Sequence, residues 1–376
     1  MKRIFIIAGE VSGDTHAAGL LRELKELEPD MRVLGLGGPK MREVMGEGIE
    51  DWVETAGVVG LWEVVKMYGY FKEKMNAVLD SMLEQKPDAV ILVDYPGFNL
   101  RLANALRTGG YKGRILYYIS PQVWAWKKGR VKTMAKVLDL MICIFPFEKE
   151  FYEKSGLHTE FSGHPMVDRV VTLKREWKRE PGLVGWFPGS RLNEVRRLFP
   201  IMMDAAKAIK EAVPNARFAV SAANETLAGF MRNMADEHGM PEAKRWIEAG
   251  TVYDLMQRAE AGAVASGTAT LEAACFGLPY TLIYNVSWPT FVIGKLVVRI
   301  KHLGIINILA KREVVKELVQ GKLNADTLAK ATADLLSNAA KRQQMQQELA
   351  DVVATLGCGG AYARAAQAVH ECLTGA

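Results

Sequence analysis

The sequence predicts an α/β protein built as two Rossmann-like domains, each a parallel sheet flanked by helices. Three observations carry that expectation. At 376 residues the chain is too long for one ordinary core and long enough for two α/β domains. Short apolar runs alternate with amphipathic helical patterns from end to end, which is how a parallel sheet with crossover helices reads in sequence. The alternation breaks at the charged stretch Lys174-Arg175-Glu176-Trp177-Lys178-Arg179-Glu180-Pro181-Gly182 and then restarts.

In the first half the predicted strands are Arg3–Ala8, Val33–Leu36, Ala89–Val93, Arg114–Ile119 and Leu140–Phe145, each followed by a loop and an amphipathic segment. From Pro165 to Gly182 neither a strand nor a clear helical stripe is visible, so this segment is expected to link the domains. The second half resumes with Leu183–Phe187, Arg217–Val220, Ala261–Ala265 and Tyr280–Tyr284 as strands, and no sequence repeat relates it to the first. Beyond about Asp326 only helical patterns remain, among them the Gln-rich Lys341–Val353 and the Ala-rich Ala361–Leu373.

Hydrophobic residues make up 49% of the chain and charged residues 24%, a balance that excludes disordered and fibrous classes. A net charge of +5 is too small to point to nucleic acid, but it suits a surface that meets anionic lipid or phosphate. Cys143, Cys275, Cys358 and Cys372 are spaced too widely for a zinc ribbon or a CxxC pair, and are expected to be buried free thiols in a reducing compartment. Lys2-Arg3 before Ile4–Ala8 resembles the start of a signal sequence, yet Glu10 and Asp14 interrupt it, so a first β-strand is expected. No run approaches the roughly 20 apolar residues that span a bilayer, and any membrane contact is expected to be peripheral.

In an open α/β sheet, ligands bind beyond the carboxyl ends of the strands, so the informative residues should follow strands directly. The first strand runs into Ala8-Gly9-Glu10-Val11-Ser12-Gly13-Asp14, where two glycines permit a tight turn and close approach of a ligand to helix amides. The loop lacks the GxGxxG fingerprint, which disfavours a dinucleotide, and it also reads as a plain turn with Ser12 or Asp14 as helix cap. Asp94 ends the apolar run Ala89–Val93 and precedes Tyr95-Pro96-Gly97-Phe98-Asn99. A carboxylate at that point can act as a base toward an attacking hydroxyl, with Glu10 the competing candidate and a helix cap the structural alternative. Ser120-Pro121-Gln122-Val123-Trp124-Ala125-Trp126 leads into Lys127, Lys128, Arg130 and Lys132, offering an apolar wall and an anion site, or else core tryptophans beside a solvated basic helix start.

In the second half, Phe187-Pro188-Gly189-Ser190-Arg191 places a small turn and a planar fork of donors after a strand, a pattern suited to a diphosphate. Ala265-Ser266-Gly267-Thr268-Ala269-Thr270-Leu271-Glu272 repeats the arrangement, with unblocked amides at a helix start and Glu272 one turn on, where it can accept from ribose hydroxyls. The segment from Gly57 to Leu83 is more apolar and aromatic than one buried stripe requires, with Lys66, Lys72 and Lys74 interspersed. Its surface, Val58–Met75, fits an anionic membrane interface, a core helix, or a contact in a homodimer. His164, ending a strand in Ser162-Gly163-His164-Pro165, is expected to be structural. No HExxH, no close His/Cys/Asp ligand group and no DxD dyad is present, so no metal site is expected.

Together, Ala8–Asp14, Gly37-Gly38-Pro39, Ser120–Trp126, Pro146-Phe147-Glu148, Gly163-His164-Pro165, Pro188-Gly189-Ser190-Arg191, Ser266–Glu272 and the segment from Asn307-Ile308-Leu309-Ala310 through Gln320 resemble the lipid-A-disaccharide synthase family over residues 3 to 320. Ile283-Tyr284-Asn285 and Gly304-Ile305-Ile306-Asn307 depart from the Gly-Tyr-Arg and Leu-Pro-Asn forms of that family. The resemblance implies the GT-B architecture: an acceptor domain over residues 1–168 and a UDP-sugar domain over 183–340 facing a central cleft, and helices over 341–376 packing back on the first domain. It implies an inverting transfer from UDP-2,3-diacylglucosamine to 2,3-diacylglucosamine 1-phosphate, giving a β-1,6 linkage and UDP, with no metal and no cofactor. It assigns acid–base chemistry to Asp94 and Glu10, the UDP site to Gly189, Ser190, Arg191, Ser266, Gly267, Thr268 and Glu272, and further substrate contacts to Asn307, Ser12 and Trp124. The implied location is the cytoplasmic face of the inner membrane. A UDP-sugar 2-epimerase shares the fold and the UDP-sugar, but uses no lipid acceptor; a non-catalytic membrane-surface adaptor would leave the diphosphate loops without a role.

Overall fold

The computed structural model describes residues 1–56, 68–126, 128–288, 291–292 and 301–375. The chain divides into two compact units, Met1–Pro165 with Leu356–Ala376, and Met166–Thr355.

The first unit holds a seven-stranded parallel sheet of β1 (Arg3–Ala8), β2 (Arg32–Gly37), β3 (Ile49–Asp51), β4 (Ala89–Val93), β5 (Arg114–Tyr118), β6 (Leu140–Cys143) and β7 (Thr159–Phe161), in the order β3-β2-β1-β4-β5-β6-β7. Helices α1 (Val11–Leu27), α2 (Pro39–Met45), α3 (Tyr68–Gln85), α4 (Pro96–Thr108) and α5 (Pro146–Glu153) belong to it. β4 is a continuous apolar run because helices cover both faces of a parallel sheet, and all five of its side chains are buried. Full burial of each such valine, isoleucine or leucine contributes about 1.5–3 kcal/mol, which makes this strand a rigid base for whatever follows it.

The second unit begins at Met166, within α6 (Pro165–Leu173), and repeats the plan with β8 (Glu180–Phe187), β9 (Arg217–Ala222), β10 (Ile247–Ala249), β11 (Ala259–Ala265), β12 (Tyr280–Tyr284) and β13 (Glu317–Val319), ordered β10-β9-β8-β11-β12-β13. Its helices include α7 (Leu192–Ala212), α8 (Thr268–Cys275), α9 (Ile305–Ala310) and α10 (Ala339–Ala354). The nine strands expected from sequence are all present within a few residues at their ends. The four others, β3, β7, β10 and β13, are the edges of the two sheets and have three residues each. Three residues are too few to display a period or an apolar run; only β7 left a trace, in the ending before His164.

The expected link is shorter than its sequence suggested. Pro165 starts α6, whose buried Met166 and Val170 stand one turn apart, and β8 already begins at Glu180, leaving 174–179 as the connecting stretch. The C-terminal region also divides differently. α10 stays with the second unit through Arg342 to Glu260 (2.7 Å) and Glu348 to Arg312 (3.1 Å). The final helix, α11 (Ala361–Thr374), packs on α1: Tyr362 lies where any side chain at Gly19 would stand 2.5 Å from its ring, and its hydroxyl meets His16 Nδ1 at 3.0 Å. Cys143 is buried, but Cys358 is exposed and Cys275 and Cys372 are half-buried, because Cys358 falls in the turn before α11. No helix among the described residues is long and apolar enough to cross a membrane.

Candidate active site

Each sheet reverses its strand order once about its first strand, between β1 and β4 in the first unit and between β8 and β11 in the second. Such a switch point opens a crevice at the carboxyl ends of the two diverging strands. Four of the loops singled out in the sequence leave those four strands, Gly9-Glu10 and Asp94-Tyr95 in the first unit and Pro188–Arg191 and Ser266–Thr268 in the second, while Ser120–Trp126 follows β5.

In the first unit, Asp94 and Tyr95 have φ of 46° and 47°, consecutive left-handed residues that are not glycine. Aspartate tolerates that region better than most residues, and tyrosine there is strained. The turn is held from below: the Tyr117 hydroxyl and Asn99 Nδ2 (2.8 Å) donate to the Asp94 carbonyl, and the Asp94 amide donates to the Tyr118 carbonyl at 3.0 Å. The Tyr95 ring lies against Gly9, where a Cβ would stand 2.3 Å from it, and its hydroxyl donates to the Ala56 carbonyl at 3.1 Å. Trp52 meets Tyr95 edge-on and donates its indole N–H to the Ala8 carbonyl at 2.7 Å, so one aromatic group fixes both loops. Helix α4 begins after Tyr95 with no side-chain cap, which removes helix capping as the role of Asp94. Its carboxyl is pushed up to about 6 by burial and then by the negative charge of Glu10, with the Tyr95 amide pulling the other way. Glu10, exposed at the start of α1, makes no capping bond.

The other first-unit candidates have structural partners. Asp14, 2% exposed, does not cap its own helix; it accepts the amides of Gly38 (2.9 Å), Lys40 (3.0 Å) and Met41 (3.0 Å) and so caps α2. Ser12 is exposed in the first turn of α1. Trp124 is buried, its indole N–H donating to Glu148 Oε1 at 2.8 Å, while Ser120 donates to Oε2 of the same carboxylate at 2.7 Å. Burial pushes Glu148 up to about 7. His164 is buried against Phe145, which drives its ring down to about 3 and keeps it neutral. The side chains of Trp126, Lys127 and Lys128, and residues 57–67 of the apolar segment, lie outside the described residues. The rest of that segment is α3, which turns Val78 and Met82 into the core and leaves Tyr70 37% exposed.

In the second unit the switch point is open. Gly189, at φ 105°, brings the backbone so close to Glu194 that a Cβ would stand 2.2 Å from its carboxylate. Ser190 and Arg191 are exposed, and the Arg191 guanidinium, with 70% of its side chain accessible, pairs with Glu194 at 3.1 Å. Gly267 has φ 154° with open space around it, and α8 starts behind it with no side-chain cap, leaving the amides of exposed Thr268 and of Ala269 to point outward beside half-buried Ser266. Glu272 is buried on α8 and accepts from the Tyr253 hydroxyl at 2.9 Å; Arg169 lies over the Tyr253 ring at 5.0 Å. Burial raises the Glu272 carboxyl, while Tyr253 and Arg169 pull it back. Asn307 uses its whole side chain internally, donating to the Val315 carbonyl (2.7 Å) and Glu317 (2.8 Å) and accepting from the amides of Val314 (2.8 Å) and Val315 (3.0 Å). It braces α9 against the chain entering β13, and any ligand contact would break one of these bonds.

Sequence reasoning missed Trp52, Tyr95, Asn99, Tyr253 and the bracing role of Glu148. All act through contacts distant in sequence, and only Tyr95 and Asn99 carried a local signal, as neighbours of Asp94.

A family model described as Lipid-A-disaccharide synthetase matches residues 4–372. The lipid-A-disaccharide synthase of Geobacter sulfurreducens is 41% identical, with 99% of this chain and 97% of that protein covered. That of Myxococcus xanthus is 35% identical over 99% and 97%. Among solved structures, a putative UDP-N-acetylglucosamine 2-epimerase from Listeria monocytogenes superposes with a TM-score of 0.66 at 13% identity, covering 98% of this chain and 96% of that one. A calicheamicin glycosyltransferase gives a TM-score of 0.59 at 15% identity over 100% and 98%. At such identities these two likenesses speak for the GT-B fold alone.

Proposed function

The chain belongs to the lipid-A-disaccharide synthase family, glycosyltransferases of lipid A biosynthesis, and from that premise we propose that it joins UDP-2,3-diacylglucosamine to 2,3-diacylglucosamine 1-phosphate with inversion, releasing UDP. The observation that carries the reading is the pair of switch points, one offering a half-buried carboxylate beside a second carboxylate, the other offering a cation and unused helix amides. Asp94 takes the proton of the acceptor's 6-hydroxyl as that oxygen attacks the anomeric carbon, and the bond to the diphosphate oxygen breaks. A carboxyl held at about 6 is ionised at neutral pH yet more basic than an ordinary aspartate. Glu10 orients the acceptor and Ser12 lies beside it. Arg191, with Gly189, Ser190 and the Ser266–Thr268 turn, meets the charge growing on the leaving UDP, and Glu272 accepts from the ribose. Trp124, bonded to Glu148, and Asn307, bonded to Val314, Val315 and Glu317, act as braces within their own units. Acylated substrates and the mild positive charge favour work at the anionic inner face of the inner membrane.

Incubation with both acylated monosaccharides, followed by mass spectrometry, tests the reading. The expected products are the disaccharide 1-phosphate and UDP in equal amounts, formed only when both substrates are present. Epimerisation of the UDP-sugar without acceptor would establish the rival chemistry of the same fold.

A further inference from the structure

A cavity of about 450 Å³ opens beside the Asp94 turn, between α3 and α4. Phe98, Phe71, Met75 and Tyr95 form its apolar walls, and exposed Lys72 and Arg101 stand at its margin. The walls are anchored, since Phe98 is 5% exposed and the other three pack against the core of the unit. Its volume lies within the range of small-molecule sites, and apolar walls give water few partners, so the cavity favours an apolar guest. Among the described residues no ion pair engages Lys72 or Arg101, so two cations face an occupant with an anionic head. Tyr95 is shared: the residue after Asp94 is a wall of the cavity, and its ring is tied by the bond to Ala56. A guest in the cavity therefore touches the residue that follows Asp94 in the chain.

We propose that this cavity holds an acyl chain of the phosphorylated acceptor and thereby sets the chain length the enzyme accepts. The inference rests on the function proposed above and adds to it where the acyl chain goes. Gly97 makes it testable, because it lines the cavity at the second position of α4, its φ is not positive, and a Cβ there meets nothing within 4 Å. Gly97→Leu adds an apolar side chain at the rim of the cavity, at a position where the Cβ itself meets no neighbour.

The experiment compares kcat/KM of the wild type and Gly97→Leu for detergent-dispersed acceptors with long and with shortened acyl chains. The ratio of long-chain to short-chain kcat/KM should fall about tenfold in the variant, the effect of excluding roughly two methylenes, and the loss should lie in KM. An unchanged ratio would overturn the proposal. So would a fall in vesicle cosedimentation parallel to the fall in ratio, which would assign the cavity to bulk membrane lipid. Met75→Trp, filling the same space from α3, should reproduce the change in ratio; failure of both variants to move it counts against the cavity. A wild type inactive toward every acylated acceptor would instead sink the function proposed above.

Discussion

The two switch points occupy equivalent places in two similar sheets and are built from opposite materials. In the first unit two left-handed, non-glycine residues are clamped by Asn99, Tyr117 and Trp52, and the carboxylate they carry is half-buried. In the second unit glycines make the turns, nothing packs around Gly267, and Arg191 is exposed. The contrast follows from what each group must do. A base needs an environment that shifts its proton affinity and a backbone that fixes its position, and both come from burial. A diphosphate needs several donors without internal partners, and burial would have paired them.

The largest effect that sharpens this comparison is expected at Asp94. Asp94→Asn keeps the shape and tolerates the left-handed φ, so turnover should fall by roughly 10²-fold or more while UDP affinity by calorimetry stays near wild type. The same variant should be more stable. With a folded value of about 6 against the usual 3.8, the native state binds the Asp94 proton more tightly than the unfolded chain, so its ionisation costs stability as pH rises through that window. Above pH 6 thermal unfolding should show Asp94→Asn stabilised by on the order of 1–3 kcal/mol, with the gain vanishing toward pH 4. Near-full turnover in this variant would remove Asp94 as the base.

Arg191→Ala comes next. A guanidinium that forms charge-assisted bonds to a diphosphate contributes about 1.5–3 kcal/mol, so UDP affinity should weaken by about tenfold or more. Stability should hardly move, since the Arg191–Glu194 pair in the unliganded protein is exposed. Unchanged UDP affinity would take Arg191 out of the site and dissolve the contrast between the units. Gly267→Ala should do less: no neighbour obstructs the methyl group, so its cost is the φ of 154°, about 1–3 kcal/mol of stability with a few-fold loss of UDP affinity. A variant with wild-type melting and binding would show that the turn relaxes freely.

How legible these features were depended on whether their cause was local. The run Ala89–Val93 ending in Asp94, and the turns Pro188–Arg191 and Ser266–Thr268, announced themselves because apolar runs and small turn residues are local properties. The edge strands did not, because three residues paired on one side carry no pattern of their own. The helix at Pro165–Leu173 was hidden by charged neighbours, although Met166 and Val170 were spaced for it. Asn307 and Trp124 were expected to contact substrate, but their hydrogen bonds run internally to Val314–Glu317 and Glu148, partners that no spacing rule names. Asp14 belonged to a legible loop and still caps a different helix, since the α1–α2 contact exists only in the folded chain.

The smallest expected effect is also the most discriminating, because it reads the coupling between Glu10 and Asp94 without removing the base. The negative charge of Glu10 makes the loss of the Asp94 proton harder. If Asp94 must be ionised to act, the acid limb of the kcat/KM profile should lie near pH 6 and rate should rise with pH through it. Glu10→Gln removes the negative neighbour and leaves the burial, which is the larger cause, so the limb should move to lower pH by less than about one unit. The plateau above it should drop only modestly, since the base itself is intact. A limb that stays in place would show that Glu10 is not the charge Asp94 senses, and a limb moving to higher pH would give it the wrong sign. Collapse of the plateau in Glu10→Gln with near-normal turnover in Asp94→Asn would exchange the two roles and make the exposed residue at the start of α1 the base.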